Sequence, residues 1–279
     1  MVSQEQRRRQ LAREKFLRQQ QRRTSARHKA RTRNAVIASV LGVVVIGSAA
    51  LYTTGAFKSD DSKKVNAGSE STPSASPSQK APDPCEKPAA GAVKKLQWKK
   101  EPAMSIATSA KYTMKLATTC GDIDVALNTA APHTVNSFDF LANKGYFDHT
   151  KCHRLTTNGI YVLQCGDPTG TGSGGPGYTI PDENLKDKSL KGNVYPAGTV
   201  AMANQYNAQT QQGRHTGGSQ FFLVYKDSPL PPDYTPFGTI DTAGLKVLDK
   251  IAKAGENTGQ GDGAPNATVV IDKATVAKS

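Results

Sequence analysis

The chain has little of what metal and redox centres are built from. Its five histidines show no ligand spacing, and none of its four cysteines stands in a C-x-x-C pair. Zinc sites and thioredoxin-type exchange are therefore not expected. Apolar residues make up only 37% of the 279 residues, too few for every segment to join a core, so one globular domain with appendages is expected. Acidic side chains are scarce at one end. The first 34 residues carry twelve Lys/Arg against Glu5 and Glu14, which accounts for most of the net charge of +13. The rest of the chain is close to neutral and makes no electrostatic claim on nucleic acid.

What is present is sharply segmented. Ala35 to Tyr52 (AVIASVLGVVVIGSAALY) is an uncharged run of 18 residues, roughly 27 Å long as a helix at about 1.5 Å per residue. Its N-terminal flank is the basic tail, so the positive-inside rule keeps residues 1–34 cytoplasmic and exports everything after Tyr52. The expectation is a single-pass cell-membrane protein with an extracytoplasmic domain. A signal peptide cleaved near Ser48-Ala49-Ala50 is the alternative, and the long stretch before the apolar run favours a retained anchor. The tail itself reads as solvated and partly helical, with cations able to lie on an anionic inner leaflet. Residues 53–100 are rich in Ser, Pro, Ala and Lys without apolar periodicity, the composition of a disordered linker. The exported domain is then expected over 101–279.

Inside that domain the pattern is mainly β. Tyr112–Leu116 and Ile123–Leu127 alternate and are joined through Thr118-Thr-Cys-Gly121, which predicts a hairpin. Pro132, Val135, Phe138 and Leu141 predict a helix ending near Gly145. Further strands are expected at 152–155, 161–165, 198–203, 221–225 and 267–271, with a second helix over Thr242–Ala254. Two helices among so many strands exclude repeated βαβ units and fit an antiparallel barrel with helices at its ends.

The domain also carries a series of short motifs: Asn136-Ser-Phe, Gly145-Tyr-Phe, Cys152-His-Arg154, Gln164-Cys-Gly-Asp-Pro-Thr-Gly-Thr-Gly, Gly174-Gly-Pro-Gly-Tyr, Asp182-Glu183, Met202-Ala-Asn204, Gly218-Ser-Gln-Phe-Phe222 and Phe237-Gly238. In order and approximate spacing they resemble a cyclophilin, over about residues 110–275. The resemblance implies a closed eight-stranded barrel capped by two helices, with an outer groove for Xaa-Pro peptides. It also implies peptidyl-prolyl cis-trans isomerase activity without cofactor or metal. Arg154 matches the family's catalytic arginine, and Gln164 and Gln220 match the amides that orient it and the substrate carbonyl. The backbone at Ala203 and Asn204 would pair with the peptide. Phe222, Met202, Leu230, Tyr234 and one of Tyr161 or Val162 would border the proline pocket. Read without the family, these apolar residues belong to the core, Met202 above all. The implied partners are proline-containing polypeptides, met by a monomer.

Several positions depart from the family pattern. Two extra residues between Arg154 and Gln164 leave open whether Tyr161 or Val162 takes the place of the usual phenylalanine. The loop 205–216 is longer and Gln-rich. Pro229-Leu230 stands where many members have tryptophan and leucine, which implies weak cyclosporin binding, and Tyr234 stands for the usual histidine. Gly170-Thr-Gly-Ser-Gly-Gly175 formally matches the dinucleotide fingerprint, but Pro176, Gly177 and Pro181 follow where a helix must start, which argues against a phosphate site. Cys85, Cys120, Cys152 and Cys165 all follow the apolar run, where an oxidising compartment permits disulfides. Cys152 and Cys165 bracket a predicted strand–loop–strand unit that could place them opposite one another, which would leave Cys85 for Cys120, but sequence allows three pairings as well as free thiols. A catalytically weak peptide-binding module remains the alternative function.

Overall fold

A computed structural model of the chain describes residues 82–279. The basic tail 1–34, the apolar run 35–52 and the linker up to residue 81 lie outside the described residues. Among the described residues no helix is long and apolar enough to cross a membrane.

Alternating apolar residues give the first hairpin, β1 (Tyr112–Thr118) and β2 (Gly121–Leu127), which pair with Leu116 opposite Ile123. Gly121 closes the turn at φ +130°, a conformation that side chains resist. Helix α1 (Pro132–Asn143) begins on a proline and has no cap of its own. Glu183 fills that role from a distant loop: its carboxylate accepts the N–H groups of His133 and Thr134 at 3.0 and 2.9 Å. Two short strands follow, β3 (Thr150–Lys151) and β4 (Arg154–Thr156), then β5 (Val162–Cys165), β6 (Val194–Tyr195), β7 (Thr199–Met202), β8 (Phe221–Val224), β9 (Ser228–Pro229) and β10 (Pro236–Ile240). Helix α2 (Thr242–Ala254) starts where Asp241 accepts the Gly244 N–H at 2.7 Å. The chain ends with β11 (Asp262–Gly263) and β12 (Val270–Lys278).

Ten strands form one curled antiparallel sheet in the order β11-β4-β5-β8-β7-β10-β2-β1-β12-β3, and β6 and β9 pair separately. The sheet is curled and antiparallel as expected, with ten strands counted where eight are expected. The count differs because two short strands flank Cys152 and His153 where one strand over 152–155 is expected, β3 pairing with β12 and β4 with β5, and because β11 adds an edge to β4. The two expected helices are present. The inner face of the sheet and α1 enclose an aromatic core in which the Phe138 ring lies 4.5 Å from Phe237, 5.3 Å from Phe147 and 5.5 Å from Phe221. Burying each such ring contributes about 1.5–3 kcal/mol.

The packed domain begins earlier than residue 101. Residues 82–100 carry no helix or strand, yet Cys85 is bonded to Cys120 in the first hairpin turn. Farther along, the Trp98 N–H donates to Pro176 O at 2.8 Å and its ring meets Phe140 edge-on at 5.0 Å. Sparse anchors of this kind leave no periodic signature, which is why the segment reads as linker. Cys152 is bonded to Cys165, with Cα atoms 4.0 Å apart.

Candidate active site

The period-2 alternation of strands turns two sets of side chains to opposite faces, and strand register lines each set up. Arg154 on β4 lies opposite Gln164 on β5, Gln164 opposite Phe222 on β8, and Phe222 opposite Ala201 on β7. This row lies on the outer face. The row beside it, Leu155, Leu163, Leu223 and Val200, faces the core. A cation and an amide thus come to stand beside an apolar side chain solely through pairing.

A chain of hydrogen bonds fixes the polar half. The Arg154 guanidinium donates from Nη1 to Gln164 Oε1 at 3.2 Å, and from Nε and Nη2 to the two carboxylate oxygens of Asp262 at 2.7 and 2.8 Å. Gln164 Nε2 donates to Gln220 Oε1 at 3.0 Å, and Gln220 Nε2 to the Gly174 carbonyl at 2.9 Å. Each amide uses one acceptor and one donor, so neither can turn without breaking the chain. The hydrogen bond with Asp262 holds the Arg154 guanidinium more firmly protonated than usual, and the same bond depresses the Asp262 carboxyl.

Beside Arg154 opens a cavity of about 200 Å³. Phe222 and Val162 belong to a small buried cluster of its own on the outer face, with Tyr195, Ala201 and Val224. Leu230, Tyr234 and Ile160 complete the apolar lining, and Ala203 and Asn204 border it. Tyr234 meets Phe222 edge-on at 5.4 Å, and burial pushes its phenol up. The Asn204 side chain donates to Asp233 O at 2.8 Å, fixing its loop against the segment that carries Tyr234. A wider groove of about 610 Å³ adjoins this cavity, sharing Gln164, Ala203 and Asn204, with Gln220 in its wall.

Two expected pocket residues lie elsewhere. Met202 is opposite Phe221 on the inner row and 2% exposed in the main core, because it shares parity with Val200 rather than Ala201. Of the two open positions it is Val162 that lines the cavity. The Tyr161 ring instead lies 5.9 Å from Tyr225, under Lys226 Nζ at 4.6 Å. Two residues were missed. Ile160 adjoins a position already in doubt. Asp262 comes from a glycine-rich stretch 108 residues from Arg154, and nothing in that stretch marks it as an arginine partner.

The glycine-rich loop 170–175 has a different task from the one its fingerprint suggests. Its N–H groups, together with that of Thr169, close around the chain's own carboxylate: Asp167 accepts from the N–H groups of Thr169, Thr171, Gly172 and Gly174 at 2.7, 3.1, 2.6 and 3.1 Å. Burial alone would raise the Asp167 carboxyl, but these bonds and the Thr169 hydroxyl outweigh it and hold the group far below the usual carboxylate range. The loop is thereby set as the rim of the groove whose carbonyl anchors Gln220.

A family model described as "Cyclophilin type peptidyl-prolyl cis-trans isomerase/CLD" matches residues 113–276. The chain belongs to the cyclophilin family. It is 51% identical over 172 residues to a probable peptidyl-prolyl cis-trans isomerase B of Mycobacterium leprae, covering 58% of this chain and 56% of that protein. It is 42% identical over 126 residues to peptidyl-prolyl cis-trans isomerase B of Bacillus subtilis, covering 44% of this chain and 77% of that one. The chain thus spans about half the length of the mycobacterial relatives it matches. Among solved structures, a cyclophilin of Cryptosporidium parvum crystallised in the presence of the dipeptide Ala-Pro matches with a TM-score of 0.50 and 27% identity, over 60% of this chain and 99% of that one. The cyclophilin domain therefore accounts for the described sheet, both helices and the groove.

Proposed function

We propose that this chain is a peptidyl-prolyl cis-trans isomerase that acts on Xaa-Pro bonds of exported proteins. The observation that carries the reading is an arginine held by three hydrogen bonds at the edge of an apolar cavity of about 200 Å³, small enough to suit a proline ring. Rotation about an Xaa-Pro bond must break amide resonance against a barrier of roughly 18–20 kcal/mol. In the twisted amide the prolyl nitrogen gains lone-pair character, so a fixed cationic donor stabilises that state more than either planar form. Phe222, Val162 and Leu230 would seat the ring, Arg154 would face the reacting amide, and the Gln164–Gln220 relay would keep its approach angle. Main-chain pairing with Ala203 and Asn204 would make substrate choice broad.

The remaining parts of the reading rest on other features. The hydrogen bonds from Cys152 N–H to Val269 O and from His153 N–H to Gln164 O support treating 150–156 as one bent strand that closes the sheet into the eight-stranded barrel of the family. The uncharged run 35–52 and its basic flank support a single-pass anchor with the domain outside the cytoplasm, and two disulfides suit an oxidising compartment. The domain works as a monomer in this proposal. A second reading, a peptide binder with faded chemistry, draws on the bidentate Asp262 contact, which offsets the charge of Arg154.

The test is cis-trans exchange of a short Ala-Pro peptide, followed by NMR line exchange with catalytic amounts of the intact chain. Saturable acceleration supports the enzyme, whereas peptide binding at the uncatalysed exchange rate leaves only the binder. Carbonate extraction of native membranes checks the anchor; release of the protein into the supernatant counts against it.

A further inference from the structure

Arg154 is held by a residue from outside its own strand pair, and the hold is built rather than casual. Asp262 lies on β11 opposite Thr156, two positions along β4 from Arg154, and paired residues share a face of the sheet with their neighbours two positions along. Its loop is fastened on both sides. The Glu256 carboxylate accepts the Thr258 N–H, the Thr258 hydroxyl and the Gly261 N–H at 2.6, 2.6 and 2.8 Å. On the other side Thr157 N–H donates to Gly261 O at 2.9 Å. The carboxylate is thereby presented edge-on to the guanidinium.

We infer that Asp262 is a positioning residue for Arg154, fixing the plane of the guanidinium and the choice of the N–H groups left for substrate. The inference rests on the proposed isomerase function. A guanidinium has five N–H donors; Asp262 takes two and Gln164 takes one, so two remain, both on the terminal nitrogens. Without Asp262 the side chain keeps only the single bond to Gln164 and can rotate about its last torsions. The carboxylate is about half exposed, with 55% of its side-chain surface accessible, and ion pairs in such settings add little to folding stability. Its effect should therefore fall on catalysis and spare the fold.

The experiment compares the intact chain with Asp262→Ala, the near-isosteric Asp262→Asn, Arg154→Ala and the Arg154→Ala/Asp262→Ala double variant. Asp262→Ala should lower kcat on the order of 10- to 100-fold, the range that misplacing a reacting group costs. KM should stay within about twofold, since ground-state contacts are untouched. Asp262→Asn, which can accept only part of the fork, should fall between the two and guards against a folding defect. In the Arg154→Ala background the loss of Asp262 should have no further effect. Parental kcat in Asp262→Ala, or an equal drop in both backgrounds, overturns the inference. Exchange of the Arg154 Nε–H, read by ¹⁵N-arginine NMR, tests the pairing apart from activity: it should be slow in the parent and fast in Asp262→Ala, and unchanged exchange overturns it. A parent chain that does not accelerate peptide exchange sinks the isomerase proposal instead, with the Nε–H signal still deciding whether Asp262 holds the arginine.

Discussion

The two faces of strands β5, β7 and β8 are built from adjacent residues, yet they end in different states. Leu163, Leu223, Val200 and Phe221 go into a closed aromatic core, while Val162, Phe222 and Ala201, one residue along in each strand, form a small cluster that borders a cavity. The inner face has a helix to cover it; the outer face has only the short β6–β9 pair with Tyr195 and the loop that carries Leu230 and Tyr234. The same alternation therefore yields a core where a second layer exists and a ligand-sized gap where it does not. The polar relay lies on the second face because Arg154 and Gln164 share parity with Phe222.

Substitutions on either side of the sheet test that division. Phe221→Ala should cost about 3–5 kcal/mol of unfolding free energy, as for other buried aromatics, and chemical denaturation reads it directly. Its neighbour Phe222→Ala should instead raise KM for an Ala-Pro peptide about tenfold, equivalent to about 1.4 kcal/mol of lost ring contact. Equal stability losses at the two positions would erase the distinction between core and site.

Two structural supports of the groove can be tested in the same way. Replacing both Cys152 and Cys165 by alanine opens a bridge of sequence separation 13, worth about 3 kcal/mol in the chain-entropy model. Because the bridge flanks Arg154 and Gln164, activity should fall along with the melting temperature, and a fall in stability with full activity would deny it any clamping role. Asp167→Asn removes the charged acceptor at the centre of the glycine loop and should cost about 2 kcal/mol. The sign with pH follows from the depressed folded carboxyl. Its stabilisation is present above the unfolded value of about 3.9 and disappears as pH falls through the lower folded value. The parent should thus lose more stability than Asp167→Asn on acidification below about pH 4, measured by melting at a series of pH values. The smallest effect is expected at Met202: Met202→Leu conserves volume in the core, should cost less than about 1.5 kcal/mol and should leave peptide exchange unchanged. A marked loss of rate there would return Met202 to the pocket.

How much of this was legible in the sequence depended on how local each signal was. Helix α2 follows its apolar spacing from Thr242 to Ala254 as expected, and the hairpin of β1 and β2 follows from clean alternation. The polar half of the site, Arg154, Gln164 and Gln220, was readable because ordered motifs carried it. Strand β10 was not, since Pro236 and Gly238 argue against a strand. The sheet accommodates them with a register shift between those two residues and with the Gly238 backbone close against Val125. The latter half of β12 was missed because only Ile271 and Ala274 are buried along it, too weak an alternation to register. Trp98 and Asp262 act through partners far away in the chain, and no local pattern announces such contacts. Parity, by contrast, was available in principle: Met202 and Ala203 cannot both face the pocket from one regular strand.

Arg154→Ala tests the central claim most directly, by measuring catalysed cis-trans exchange of an Ala-Pro peptide at matched circular dichroism. A fixed cation at the reacting amide should be worth about 100-fold or more, comparable with the loss of one transition-state donor, with peptide binding largely retained. Exchange as fast as that of the parent chain would contradict the account.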